Sequence, residues 1–162
     1  MLPVASEPRL FGGLAVGSGD SDPDSRTDRS FQQTQLEANE AGFGGVERFA
    51  QYGVVLDPEL SNLGVVTFGA GVTLFRSSSL DLVYHGYRLL EPADALRNSR
   101  LEVTLDGSHR DLGQGLDLVL ALEEWERVEF LFIAGAFRAG SAFGRDRGTW
   151  SYGGFASMKI AF

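Results

Sequence analysis

The sequence predicts an all-β fold, a section of an antiparallel transmembrane β-barrel with about six strands, long extracellular loops and short periplasmic turns. Three observations carry that expectation. Apolar residues alternate with small or polar ones at period two near 9–17, 63–75, 80–90, 112–122, 128–139 and 149–162. The connections between these segments alternate long and short. The composition, with 21 Gly, 12 Phe and no Cys, favours short-turned β architecture and removes disulfide and thiolate–metal frameworks. Length decides little, because 162 residues at 43% hydrophobic content would also suffice for a modest soluble core.

In the first segment Leu10, Leu14 and Val16 share one face, and Arg9, Phe11, Gly13 and Ala15 share the other. A Gly-, Asp- and Ser-rich tract, Ser18 to Ser30, then opens the long 18–62 connection. That stretch exceeds a plain link and is either a plug or an extracellular loop, with a short helical turn placed around Val46 to Tyr52. The second segment sets Val66, Phe68, Ala70, Val72 and Leu74 against Thr67, Gly69, Gly71 and Thr73. After a turn at Arg76 to Ser79, the third places Leu80, Leu82 and Tyr84 opposite Asp81, Val83, His85 and Tyr87.

A second long connection, Glu91 to Arg110, contains Leu101 to Leu105, which could extend a strand. The fourth segment aligns Leu116, Leu118, Leu120 and Leu122 against Gly113, Gly115, Asp117, Val119 and Ala121. A short turn at Glu123 to Arg127 holds Trp125. In the fifth, Leu131, Ile133 and Phe137 are assigned to the lipid side, and Phe132, Ala134, Ala136 and Arg138 to the lumen. The sixth puts Trp150, Tyr152, Met158, Ile160 and Phe162 on its apolar face and Ser151, Gly153, Phe155, Ser157 and Lys159 on the other.

Alternation alone also describes a soluble sandwich with the apolar stripe turned inward. The aromatics separate the two: Tyr84, Trp125, Trp150 and Tyr152 stand toward strand ends, where membrane interfaces favour amphipathic rings, and Phe162 has the form of an outer-membrane assembly signal. No apolar run reaches the length of a membrane helix. The first eight residues lack the basic and apolar regions of a secretory signal, which points to a mature form or a fragment.

The net charge of −8, concentrated between Asp20 and Glu59 and between Glu91 and Asp111, leaves no basic stripe for nucleic acid. Asp20, Asp22, Asp24 and Asp28 alternate like calcium ligands, but Ser25 stands at the turn-glycine position and Phe31 at the bidentate-glutamate position, so they are read as a solvated acidic loop. His85 and His109, the two histidines, fall in no nucleophile or zinc motif. No enzyme chemistry, metal or cofactor is expected.

In order along the chain come Phe31-Gln32-Gln33-Thr34, Leu36-Glu37 and Asn39, then Glu59-Leu60-Ser61-Asn62-Leu63 and Leu82-Val83-Tyr84-His85. Asp111-Leu112-Gly113-Gln114, Leu116-Asp117-Leu118-Val119 and Gly140 with Ala142-Phe143-Gly144 follow. In that combination the chain resembles the C-terminal part of the alginate export family of outer-membrane porins. The resemblance implies a bacterial outer-membrane location and a barrel of about 18 strands whose basic lumen conducts the polyanionic polysaccharide alginate. Six strands cannot close such a barrel, so a fragment of a longer protein or one protomer of an assembly is expected. Outer-membrane lipid, the rest of the barrel and periplasmic export components are the implied partners.

A path for a uronate polymer needs fixed cations that hold carboxylates weakly, and Arg9, Arg138 and Lys159 fall on faces assigned inward, with Asp81, His85 and Asp117 beside them. They either touch the polymer or pair with one another to hold neighbouring strands in register. Arg88 is assigned outward, snorkelling at a strand end. A porin of the same architecture for another substrate, or a soluble β-barrel binding module, are the competing readings.

Overall fold

A computed structural model describes residues 7–21, 27–32, 40–41, 49–50 and 52–162. Strands β1 (Pro8–Gly17), β4 (Leu63–Leu74), β5 (Ser78–Leu89), β6 (Asp111–Trp125), β7 (Val128–Ala139) and β8 (Trp150–Ile160) form one antiparallel sheet in that order. β2 (Glu40–Ala41) and β3 (Phe49–Ala50) make a separate two-stranded pair. A short 3-10 helix, Ser141–Asp146, follows β7. Each pairing joins strands that follow one another within this sheet, with only the β2–β3 pair intervening between β1 and β4, so the wall is a meander, open at its β1 and β8 edges. The helical turn placed around Val46 to Tyr52, the acidic positions Asp22 and Asp24, and Gln33 to Asn39 of the family-like segment lie mainly or wholly outside the described residues.

The two long connections, 18–62 and 90–110, and the intermediate one, 140–149, all leave one end of the sheet. At the other, β4 passes to β5 through Phe75–Ser77 and β6 to β7 through Glu126–Arg127. The first of these turns is shorter than the sequence suggests, because Ser78 already pairs with Leu74. Its sharpness shows in Phe75, whose φ of 55° lies in the left-handed region. Glu124, reaching across from β6, accepts hydrogen bonds from the Arg76 amide (3.0 Å), the Ser77 amide (2.8 Å) and the Ser78 hydroxyl (2.8 Å). A carboxylate on one strand thus satisfies the exposed donors of its neighbours' turn.

Register turns the alternation into two surfaces. On one lie rows such as Phe68, Tyr84, Leu116, Ala136 and Tyr152, and Ala70, Leu82, Leu118, Ala134 and Gly154. This face is apolar and uncovered: Leu10 is 87% exposed, Phe68 59% and Leu118 45%. On the other lie rows such as Thr67, His85, Gly115, Phe137 and Ser151, and Gly69, Val83, Asp117, Gly135 and Gly153. Chain from the long connections covers this second face and builds the core with it, through Tyr52, Val54, Val55, Leu56, Leu105, Ala142 and Phe143.

Two bulges adjust the faces. Near the long-loop end the register shifts between Tyr87 and Arg88, where Gly113 has a φ of 111° and Leu112 is fully buried. Near the short-turn end a shift between Leu122 and Trp125 brings Trp125 opposite Val128, with its ring edge-on to Phe130 at 5.8 Å. Leu101 to Leu105 forms no strand; a single bridge joins Ala95 to Thr104.

Strand β7 corrects the sequence reading. Its residues pair Ile133 with Val119 and Gly135 with Asp117, so Ile133 (3% exposed) and Phe137 face the covered side while Phe132 and Arg138 face the uncovered one. Both faces of this strand are apolar, and period-two logic cannot choose between two apolar faces. Of its two charges, Glu129 faces the covered side opposite Lys159 and Arg138 the uncovered one.

Candidate functional site

The covered face gathers the polar residues that the alternation isolates. Arg9 on β1, Gly71 on β4 and Asp81 on β5 occupy one row. With no side chain on Gly71, Arg9 Nη2 reaches over the middle strand to Asp81 Oδ1 at 2.5 Å. A methyl group at position 71 would collide with that oxygen and stand 2.7 Å from Arg9 Nη2. Next to it, the Phe11 ring lies over Gly69 in the same manner.

One rung beyond, Asp117 accepts the Val54 amide at 2.9 Å, and Tyr87 donates its hydroxyl to the Tyr52 carbonyl at 2.8 Å. These two bonds fix residues 52–58 against the wall. The segment can lie so close because Gly135 and Gly153 present only backbone beneath Val54 and Val55. Gly53, with a φ of 90°, fits under the Tyr87 hydroxyl. From above, Arg100 ties the segment down through the Val54 carbonyl (3.2 Å) and Asp57 (3.0 Å), and its amide donates to the Leu56 carbonyl.

His85 is fully buried in this cluster. Its Nδ1 is 3.0 Å from the Thr67 hydroxyl, its ring stacks on Tyr87 at 5.9 Å, and its Nε2 lies 3.6 Å from Asp117 Oδ2 with no hydrogen-bond partner. Such a group sets the cluster's polarity beneath the docked segment. Lys159 stands on the same face at the short-turn end, 75% exposed along its side chain, with Nζ 2.8 Å from Glu129. The covered face therefore holds Arg9, Lys159, Asp81, His85 and Asp117 together.

Arg138 does not join them. It stands on the uncovered face, its guanidinium carbon 5.9 Å from the Trp150 ring centroid. The rings assigned to interfaces lie toward both ends of that face: Tyr84, Trp150 and Tyr152 toward the long loops, Trp125 and the exposed Phe162 toward the short turns. Tyr84 also donates to the Gln114 side chain at 3.1 Å.

The loops are held by carboxylates. The His109 and Ser108 amides, each 2.9 Å from Asp106 Oδ1, hold its carboxyl well below the usual range. Ser30, through hydroxyl and amide, and Arg97 do the same for Asp28.

No local periodicity marks the segment 52–58 as a site, but its composition does. Tyr52-Gly53-Val54-Val55-Leu56-Asp57-Pro58 is an apolar run within an otherwise polar, acidic connection. A loop needs such a run only when it has a surface to pack on.

An antiparallel meander with an uncovered apolar face and a polar face filled by its own loops defines the class of β-barrel walls. Within that class the chain belongs to the alginate export family, whose profile matches residues 2–155. It is 33% identical over 109 residues to the alginate production protein AlgE of Pseudomonas aeruginosa. That match covers 67% of this chain and 22% of the relative, so the chain spans a minor part of the curated relative's length.

Proposed function

We propose that this chain forms part of the wall of an outer-membrane channel that exports alginate, an anionic polysaccharide, by passive conduction through a polar lumen. The observation that carries the reading is the division of the sheet. Leu10, Phe68, Leu82, Leu118, Tyr152 and Met158 stand exposed on one face, and polar groups lie beneath a docked loop on the other. A patch of that extent is a liability in water and an asset in lipid, which favours the channel over a soluble binding module. The open β1 and β8 edges are where further strands would pair to close the wall.

In this reading the polymer passes along the face that holds Arg9, Lys159, Asp81, His85 and Asp117. Arg9 is engaged by Asp81, which gives it a wall-holding role. Lys159, paired with Glu129 at the short-turn end but still open to solvent, is the cation best placed to meet uronate carboxylates. Residues 52–58 narrow the path as a plug.

The test is conductance in planar bilayers of the closed barrel of which this chain forms a wall section, with oligouronate added on one side. Anion-preferring current that oligouronate blocks, with the block weakened by Lys159→Glu, is the expected result. Current indifferent to oligouronate would remove the assigned cargo, and failure to form channels would remove the wall.

A further inference from the structure

The uncovered face is not uniformly apolar. Toward the long loops, its rim carries three arginines beside a groove of about 830 Å³ lined by Leu14, Val16, Val66 and Phe68 together with Arg88, Arg138 and Arg147. Arg138 occupies the row of Gly86 and Gln114, Arg88 lies one outward-facing position further along β5, and Arg147 follows the 3-10 helix. None of the three has a carboxylate partner among the described residues, although Arg9, Arg97, Arg100 and Arg110 each do. The acid at this rim, Asp111, accepts the Gly113 amide at 3.0 Å and the Ser141 amide at 3.4 Å. Snorkelling would account for one arginine. Three arginines that share a single acid, Asp111, and form no ion pair with it converge on one largely apolar groove, and this excess of positive charge calls for an anion whose attached body is apolar.

We propose that this groove binds a phosphate-bearing membrane lipid, with its headgroup on Arg88, Arg138 and Arg147 and an acyl chain along Leu14, Val66 and Phe68. The proposal rests on the reading that the uncovered face meets lipid. Trp150 contributes by stacking under the Arg138 guanidinium and holding it at the headgroup level.

The experiment is native mass spectrometry of the detergent-solubilised, delipidated protein titrated with phosphatidic acid, with diacylglycerol of the same chains, and with glycerol phosphate. The proposal expects phosphatidic acid to be retained. Diacylglycerol should bind much more weakly, and glycerol phosphate not at all. Replacing the three arginines by Gln should weaken retention by about fivefold per charge removed. Equal retention of diacylglycerol, or unchanged retention in the triple variant, would overturn it. Binding of glycerol phosphate or oligouronate at the same arginines would instead assign the rim to a soluble anion, and also overturns it. Insertion into vesicles separates the two readings. A wall that does not meet lipid fails to insert whatever the lipid, whereas a wrong lipid site leaves insertion intact and removes only the phosphate dependence.

Discussion

Arg9 and Asp81 are bonded to each other across an intervening strand, over the bare backbone of Gly71. The three residues come from β1, β5 and β4, so this one row fastens the edge strand to the body of the sheet. Removing one partner leaves the other charged, largely buried and unmatched. Asp81→Asn is expected to destabilise the sheet by about 2–4 kcal/mol, and a joint replacement of both residues by apolar ones by much less. Gly71→Val should cost about 1–3 kcal/mol by displacing the bridge. Urea unfolding in detergent micelles, with the double-mutant cycle, checks all three.

The docking of residues 52–58 on the sheet depends on two acceptors, the Asp117 carboxylate and the Tyr52 carbonyl. Asp117→Ala strands the Val54 amide and removes the carboxylate 3.6 Å from His85 Nε2, a loss of about 1–3 kcal/mol concentrated on residues 52–58. Amide hydrogen exchange should accelerate at Val54 while the strand amides of β5 and β6 keep their protection. In bilayers the same variant should raise single-channel conductance.

Glu124 holds the β4–β5 turn through three donors. Glu124→Ala is expected to lower the unfolding midpoint, and Glu124→Gln to lower it by less, since an amide oxygen still accepts. The unfolding midpoint of each variant in heat-modifiable gel mobility distinguishes the two.

Asp106 gives the 90–110 loop a defined acid limit. Its carboxyl is held below its unfolded value, so its contribution is fully present above the ordinary Asp value of about 3.9 and is lost as pH falls through the folded value. The loop should stay ordered through neutral and mildly acidic pH and loosen only below about pH 3.9. Exchange rates of the Ser108 and His109 amides against pH, compared in Asp106→Asn, measure this.

Much of the wall was legible in the sequence because five strands oppose an apolar face to a small or polar one, and one register satisfies that contrast. Asp81, His85 and Asp117 could be placed together from alternation alone. β7 could not, since Phe132 and Ile133 are equally apolar neighbours and the choice belongs to the pairing of Ile133 with Val119. Arg138 follows β7: once Ile133 pairs with Val119, Arg138 falls on the uncovered face, beside Trp150. The docked segment 52–58 was hidden for a different reason: its bonds to Asp117 and Tyr87 join residues far apart in the chain, and no local periodicity records them.

The central claim is that the uncovered face meets lipid and the loop-covered face does not. The chain has no cysteine, so single-cysteine spin labels can be introduced cleanly at Leu82, Leu118, Phe132 and Arg138, and at Ser151 and Ser157. In reconstituted vesicles, power saturation should show oxygen favoured over the nickel chelate at Leu82, Leu118 and Phe132. The chelate should gain at Arg138, near the headgroups, and prevail at Ser151 and Ser157. The opposite order, with the chelate reaching Leu118 and Phe132 while oxygen dominates at Ser151 and Ser157, would contradict the account.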